Sequence, residues 1–191
     1  MGMPAQNIRW TAEMVRALPD DGNRYELLDG ELLVSPAPSY LHQRALRLLY
    51  ELIAPYVHGN ALGEVLWSPA DIELRPETIL QPDLFVVPEP LAGHVKQWSD
   101  IDALLLVVEV LSPSTAFSDR NRKRPEYQKK QIPEYWIVDL DARLVERWRP
   151  SDSRPEILSQ QLTWQPTSDL PALSIDLPEY FARVFGAKNG H

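Results

Sequence analysis

Leu104-Leu105-Leu106-Val107-Val108-Glu109-Val110-Leu111 is an almost unbroken apolar run. Such a run suits a strand covered on both faces, so it is expected at the centre of a sheet. Its one charged member is Glu109, whose carboxylate is costly to bury unless a partner compensates it. Side chains alternate along a strand, which places Leu105, Val107, Glu109 and Leu111 on one face and Leu106, Val108 and Val110 on the other. Downstream, Asp119 to Lys130 reads as helix and Glu134 to Leu140 as a second buried strand. Strand, helix and strand over 103–140 fit a crossover unit, and hence an α/β (α+β) fold with a mixed sheet flanked by helices.

Upstream, Asp83 follows Pro82 and opens the apolar run Leu84 to Val87. If this strand neighbours the central one, Asp83 and Glu109 converge at one end of the sheet. Two close carboxylates force one to stay protonated, whereas a divalent cation between them favours both being ionised. With oxygen ligands and no thiolate, that cation is expected to be Mg²⁺ or Mn²⁺. The plainer alternative has Glu109 emerging at a strand end to pair with an arginine while Asp83 caps a turn. Spacing alone leaves both open.

Farther out, Arg24 to Leu28 and Glu31 to Ser35 are short β-type runs around Asp29-Gly30, a dipeptide that tolerates the positive φ angles of a two-residue hairpin. Thr11 can cap a short helix reaching Leu18, ended by Pro19 and Asp20-Asp21-Gly22. From Ser39 to about Val57, Leu41, Ala45, Leu48, Leu49, Leu52, Ile53 and Tyr56 recur at helical spacing, so this is the longest helix, with Pro55 near its end. Glu64 to Leu74 alternates in part, with Asp71 and Glu73 expected to face solvent, and Leu144 to Arg149 reads as a further strand.

Composition bounds the chemistry. The 191 residues, 44% hydrophobic and 24% charged, fit one domain over 1–191, and no apolar run is long enough to span a membrane. Residues 1–10 carry no basic flank followed by an apolar core, so a cytoplasmic location is expected. Cysteine is absent, which excludes disulfides, thiolate zinc sites and cysteine nucleophiles. The net charge of −8 argues against a whole-surface attraction for nucleic acid, leaving a local patch. Arg120, Arg122, Lys123, Arg124, Lys129 and Lys130, opposed only by Asp119 and Glu126, form such a patch. It can track phosphates or be one solvated helix face. His58, His94 and His191 are expected at the surface, and Ser112-Pro113-Ser114-Thr115 is expected to turn the chain and cap the next helix.

In order along the chain, Tyr25-Glu26-Leu27-Leu28-Asp29-Gly30-Glu31, Gln81-Pro82-Asp83-Leu84, Val108-Glu109-Val110-Leu111-Ser112-Pro113-Ser114-Thr115, Asp119 to Lys123 with Tyr127, and Pro133-Glu134-Tyr135-Trp136-Ile137-Val138-Asp139 form one set. This set resembles the Uma-two family of restriction-endonuclease-like proteins, a branch of the PD-(D/E)XK nuclease superfamily, over about residues 10–185. The resemblance implies a restriction-endonuclease-like sheet with an N-terminal β-hairpin, holding Asp83 and Glu109 as metal ligands. It also implies a lysine moved from the usual strand position, here Leu111, to the following helix, where Lys123 matches. Lys123 could then orient the attacking water or steady the scissile phosphate. His42, Glu26 and Glu31 match family positions as well; a local hydrogen bond for His42, and salt-bridge or solvent roles for the two glutamates, stand beside a place in the site.

The expected activity is metal-dependent endonucleolytic hydrolysis of nucleic acid, DNA first, with Arg120, Arg122 and Lys130 as nucleic-acid contacts. The alternative is a non-catalytic nucleic-acid- or protein-binding module on the same scaffold. A carboxylate-pair glycosidase fits poorly, because no open aromatic cleft is suggested. Trp148, Trp164, Tyr180, Phe181 and Phe185 supply C-terminal aromatic surface that points to a homodimer.

Overall fold

The computed structural model describes residues 8–186, so His191 and residues 1–7, with the leader reading that falls on them, lie outside the described residues. Helix α1 (Ala12–Arg16) starts at Thr11, whose Oγ1 accepts a hydrogen bond from the Met14 amide at 3.3 Å. Strands β1 (Arg24–Leu28) and β2 (Glu31–Ser35) form the expected hairpin, with Asp29 and Gly30 both at positive φ (55° and 80°). Helix α2 (Tyr40–Gly59) begins at Ser39, whose Oγ accepts from the His42 amide at 3.2 Å. Strands β3 (Gly63–Trp67), β4 (Ile72–Arg75), β5 (Thr78–Leu80) and β6 (Leu84–Pro88) follow, then the short α3 (Glu89–Ala92) and the central β7 (Leu106–Val110). A helical stretch comprises α4 (Ala116–Ser118), a wide π-helical turn (Asp119–Lys123) and α5 (Arg124–Lys129). The chain ends with β8 (Glu134–Asp139), β9 (Leu144–Trp148), β10 (Glu156–Leu158), β11 (Gln161–Trp164), β12 (Leu173–Asp176) and α6 (Leu177–Phe185).

Six strands form the main sheet in the order β10-β9-β8-β7-β6-β3, and β7 pairs with β8 in parallel while the other pairs are antiparallel. The parallel pair carries the crossover expected of strand, helix and strand. On one face, Leu84, Val86, Leu106, Val108 and Val110 pack with α2, α6 and the β11–β12 hairpin. On the other, Phe85, Val87, Val107 and Ile137 meet a second, antiparallel sheet ordered β2-β1-β5-β4, through Leu28, Ile72 and Leu80. The far side of that small sheet buries Leu27 and Ile79 against Val15 of α1. The architecture is thus a mixed α and β structure with several sheets flanked by helices.

Several expectations change. Strands β5 and β10 carry no alternation, and β11 and β12 alternate over only four residues each, so none of the four was foreseen. Asp71 and Glu73 are half-buried rather than solvent-facing, because neighbouring side chains pair with them: Asp71 accepts from Gln81 at 2.8 Å and Glu73 from Arg16 of α1 at 2.7 Å. Trp148, Trp164, Tyr180 and Phe181 are buried (7%, 1%, 2% and 2% exposed), and only Phe185 keeps 39%. Trp164, Tyr180 and Phe181 pack with α2 on one face of the main sheet, and Trp148 is buried on the opposite face beneath Arg124, which removes the sequence ground for expecting a second copy. Among the described residues no helix is long and apolar enough to cross a membrane.

Candidate functional site

The β6–β7 ladder runs through Leu84↔Val108 and Phe85↔Val107, so the same register sets Asp83 opposite Glu109 on the face turned toward the small sheet. Beyond the last ladder pair, the Val110 amide donates to Asp83 Oδ2 at 2.8 Å. A side-chain oxygen there does the work of a strand carbonyl. Both carboxyls are 1% exposed. Between them lies Arg24, projecting from the inner face of β1: its Nη2 donates to Asp83 Oδ1 at 2.6 Å, its Nη1 to Gln81 O at 3.1 Å, and Nη1 stands 3.9 Å from Glu109 Oε2. The two sequence alternatives are therefore both realised in part, since the carboxylates converge and an arginine pairs with them.

Each carboxylate has its own further partners. His42, in the first turn of α2, places Nε2 3.0 Å from Asp83 Oδ2, and its buried Nδ1 has no hydrogen-bond partner. The Ser39 cap fixes where α2 begins, and with it the place of His42. Glu109 Oε1 accepts from Lys123 Nζ at 3.2 Å and from the Tyr127 hydroxyl at 3.1 Å. Lys123, itself 1% exposed, also contacts Glu26 Oε2 at 2.9 Å and Asp119 Oδ1 at 3.2 Å. The other oxygen of Glu26 accepts from the Gln81 amide at 2.8 Å. Asp119, Lys123 and Tyr127 recur every fourth residue and so share one helix face, aimed at the sheet.

Four buried carboxylates (Glu26, Asp83, Glu109 and Asp119) thus face two cationic side chains, Arg24 and Lys123, beside His42. The imbalance bears on which carboxyls hold a proton. Burial pushes the Glu109 carboxyl well above its ordinary range, and Asp83, Asp119 and Glu26 add to a shift that Lys123 only partly offsets. Burial likewise raises Asp119. For Asp83 burial acts upward too, but the His42 contact, the Arg24 charge and the Val110 amide outweigh it and hold the carboxyl well below the usual range. Tyr127 is pushed up by burial and keeps its proton to donate.

A cavity of about 590 Å³ opens onto Arg24, His42, Asp83, Glu109, Arg120 and the Ser112–Thr115 loop. Among the described residues no three His, Cys, Asp or Glu side chains are disposed to hold a metal ion together. Two carboxylates from adjacent strands share the cationic guanidinium of Arg24 beside an open cavity, and carboxylate oxygens are the donor type that a hard divalent cation takes. Mg²⁺ commonly takes one or two protein carboxylates and completes its shell with water and substrate phosphate.

The remaining sequence candidates are dispersed. Glu26, read as a salt-bridge or solvent residue, does form an ion pair but belongs to the buried cluster. Glu31 does not: it sits at the tip of the β1–β2 hairpin, 70% exposed in its side chain, and pairs with Arg122 at 2.6 Å. Arg120 reaches the cavity but is held by Asp139 at 2.8 Å and Glu146 at 2.6 Å. The basic segment is consequently no free cationic face, since Arg120, Arg122 and Lys123 meet acidic partners and Arg124 lies over the Trp148 ring at 4.4 Å. Lys130, the C-cap residue that follows α5, does not line the cavity. His58 and His94 are exposed as expected. The Ser112–Thr115 segment turns the chain, with Ser112 Oγ 3.1 Å from Thr115 Oγ1, but Thr115 makes no side-chain cap on α4. Arg24 and Asp119 were missed. The available signals were the alternation of Arg24 and Glu26 on one strand face with Leu28, and the fourfold spacing of Asp119, Lys123 and Tyr127.

Comparison with known proteins agrees with this fold. Residues 12–178 match the family model Uma2, described as "Putative restriction endonuclease". A solved structure from Anabaena variabilis, titled as "a putative nuclease belonging to DUF820", superposes with a TM-score of 0.72 at 18% identity, covering 91% of this chain and 98% of the other. At that identity the likeness establishes the fold. No curated protein matches the chain. With the family match spanning most of its length, the chain belongs to the Uma2 family of restriction-endonuclease-like proteins.

Proposed function

We propose that the chain is a metal-dependent endonuclease that hydrolyses phosphodiester bonds of nucleic acid, with DNA as the expected substrate. One observation carries this reading: Asp83 and Glu109, from adjacent strands, meet at a single cationic group on the floor of an open cavity. Asp83 and Glu109 would hold Mg²⁺ or Mn²⁺. The chemistry such an ion supplies is polarisation of a phosphoryl oxygen and a lowered pKa for the attacking water. The chain's own groups set the stage for it. His42 and the Val110 amide hold the Asp83 carboxylate in one orientation, and Lys123 with Tyr127 does the same for Glu109. Arg120 stands at the cavity wall as a candidate phosphate contact. If both strands of a duplex are cut, two subunits each carrying one site provide the simplest means, and sedimentation with bound DNA tests that assembly.

The non-catalytic module remains the second reading, favoured by one feature: Arg24 and Lys123 already compensate Asp83 and Glu109 within the chain. Incubation with plasmid, linear duplex, single-stranded DNA and RNA, with Mg²⁺, Mn²⁺ or EDTA, separates the two. Cleavage that requires the cation and is lost in Asp83→Asn, with circular dichroism unchanged, is the expected result. Retained nucleic-acid binding with no cleavage under any condition establishes the module instead.

A further inference from the structure

Asp83 and Glu109 differ in how firmly their counter-charges are built in. Lys123 is locked: it is 1% exposed and touches Glu26, Glu109 and Asp119 at 2.9, 3.2 and 3.2 Å. Arg24 is held less completely. Its side chain keeps 15% exposure, lines the cavity, donates to Asp83 and to the Gln81 carbonyl, and reaches Glu109 only at 3.9 Å. It extends from the first residue of β1, opposite Ser35, at the open end of the hairpin where the cavity begins. A divalent cation bound by Asp83 and Glu109 needs the same oxygens, and a guanidinium left beside it meets like-charge repulsion.

We propose that Arg24 is a displaceable internal cation: it neutralises the Asp83–Glu109 pair while the site is free of metal, leaves when a divalent ion binds, and then offers its guanidinium to a substrate phosphate in the cavity. This rests on the reading of the site as a divalent-cation nuclease centre. A guanidinium that loses a carboxylate needs another anion, and its planar fork matches two phosphate oxygens as well as two carboxylate oxygens. Metal loading and substrate capture are thereby coupled through one side chain, since the residue that guards the carboxylates in the empty site becomes a phosphate donor in the loaded one. Lys123 cannot exchange in this way without leaving three buried carboxylates bare.

The two roles give effects of opposite sign, which a merely structural role does not. Calorimetric titration of the full chain with Mn²⁺ should show binding about ten- to a hundredfold tighter in Arg24→Met than in the wild type, the equivalent of one charge-assisted hydrogen bond. At saturating Ca²⁺, the same variant should bind a short DNA duplex about tenfold more weakly or worse. Arg24→Lys, which keeps a positive charge, should fall between the two in both measurements. Equal Mn²⁺ affinity in wild type and Arg24→Met overturns the displacement, and so does a parallel weakening of Mn²⁺ and DNA binding. Failure of both proteins to bind Mn²⁺ overturns the nuclease reading and the displacement together. If Arg24→Met does not fold, a crystal structure of the wild type with Mn²⁺ decides: the ion on Asp83 and Glu109 with Arg24 turned into the cavity is expected. Arg24 still hydrogen-bonded to Asp83 beside the bound ion overturns the proposal.

Discussion

Lys123 is surrounded by Glu26, Glu109 and Asp119, so its removal has a different meaning from the loss of a surface charge. Lys123→Met leaves three buried carboxylates without their shared cation, and breaking a buried pair on one side typically costs about 3–5 kcal/mol. Urea denaturation should register a loss of that order, and a loss under about 1 kcal/mol, the range of surface pairs, places the ammonium in solvent after all. Glu109 yields a pH prediction. Its carboxyl is raised above its ordinary value by burial, so the folded state holds the proton more tightly than the unfolded chain. That contribution is complete below the unfolded pKa of about 4.3 and is lost as the pH rises through the raised folded value. Glu109→Gln should therefore flatten the fall in stability of metal-free protein as the pH rises above the unfolded value. Asp119 shifts in the same direction, so some slope should survive. Urea midpoints in EDTA over that rise in pH are the measurement, and parallel curves for the two proteins count against it. At this scale the sequence exposed Asp83 and Glu109, because a charge inside an apolar run is conspicuous. Arg24 was hidden because an arginine at a strand end reads as solvated, and Asp119 because it lies among surface-type charges.

The hairpin and the long helix were legible because each carries its own local punctuation. Asp29-Gly30 supplies two positive-φ residues, and β1 and β2 begin and end where the sequence alone put them. Ser39 marks the start of α2 by accepting the His42 amide. By contrast β5, β10, β11 and β12 are three or four residues long and owe their conformation to neighbours already in place. No window of sequence that short separates strand from loop. The stretch after β7 misled differently: the predicted helix is real, but it begins at Ala116 and widens into a π-helical turn over the residues that carry Asp119 and Lys123. Such turns are frequent at functional sites, where they re-aim side chains. The Ser39 cap provides an element-scale test, since Ser39→Ala removes the acceptor for the His42 amide at the end of α2 nearest Asp83. A loss of about 1 kcal/mol is expected from the cap alone. Because His42 sits on that same turn, Mn²⁺ affinity should fall as well, whereas a capping change remote from the site would leave it untouched. Thermal melts and metal titrations of one preparation report both.

Across the whole molecule, the two sheets and the helical stretch between them enclose more negative than positive charge, and folding has to bring that charge together. Burying four carboxylates around two cations opposes folding unless protons or a further cation are taken up. The metal-free fold answers with raised carboxyl pKa values at Glu109 and Asp119 and with Arg24 drawn onto Asp83. A divalent ion answers the same need with two charges at once, so the folded state should bind it and the unfolded chain should not. Stabilisation by such linkage reaches about 2.7 kcal/mol at a hundredfold excess of ion over Kd. For a domain of this size that corresponds to a rise in Tm of roughly 5–10 °C, reversed by EDTA. Asp83→Asn should abolish most of the rise, because it removes a ligand. Lys130→Met should leave it intact, because Lys130 lies outside the cavity. A wild-type melt unmoved by millimolar Mg²⁺ or Mn²⁺ would mean that Arg24 and Lys123 are the only cations this cluster accepts. The scaffold would then be serving as a binding module, with its carboxylates held in structural ion pairs.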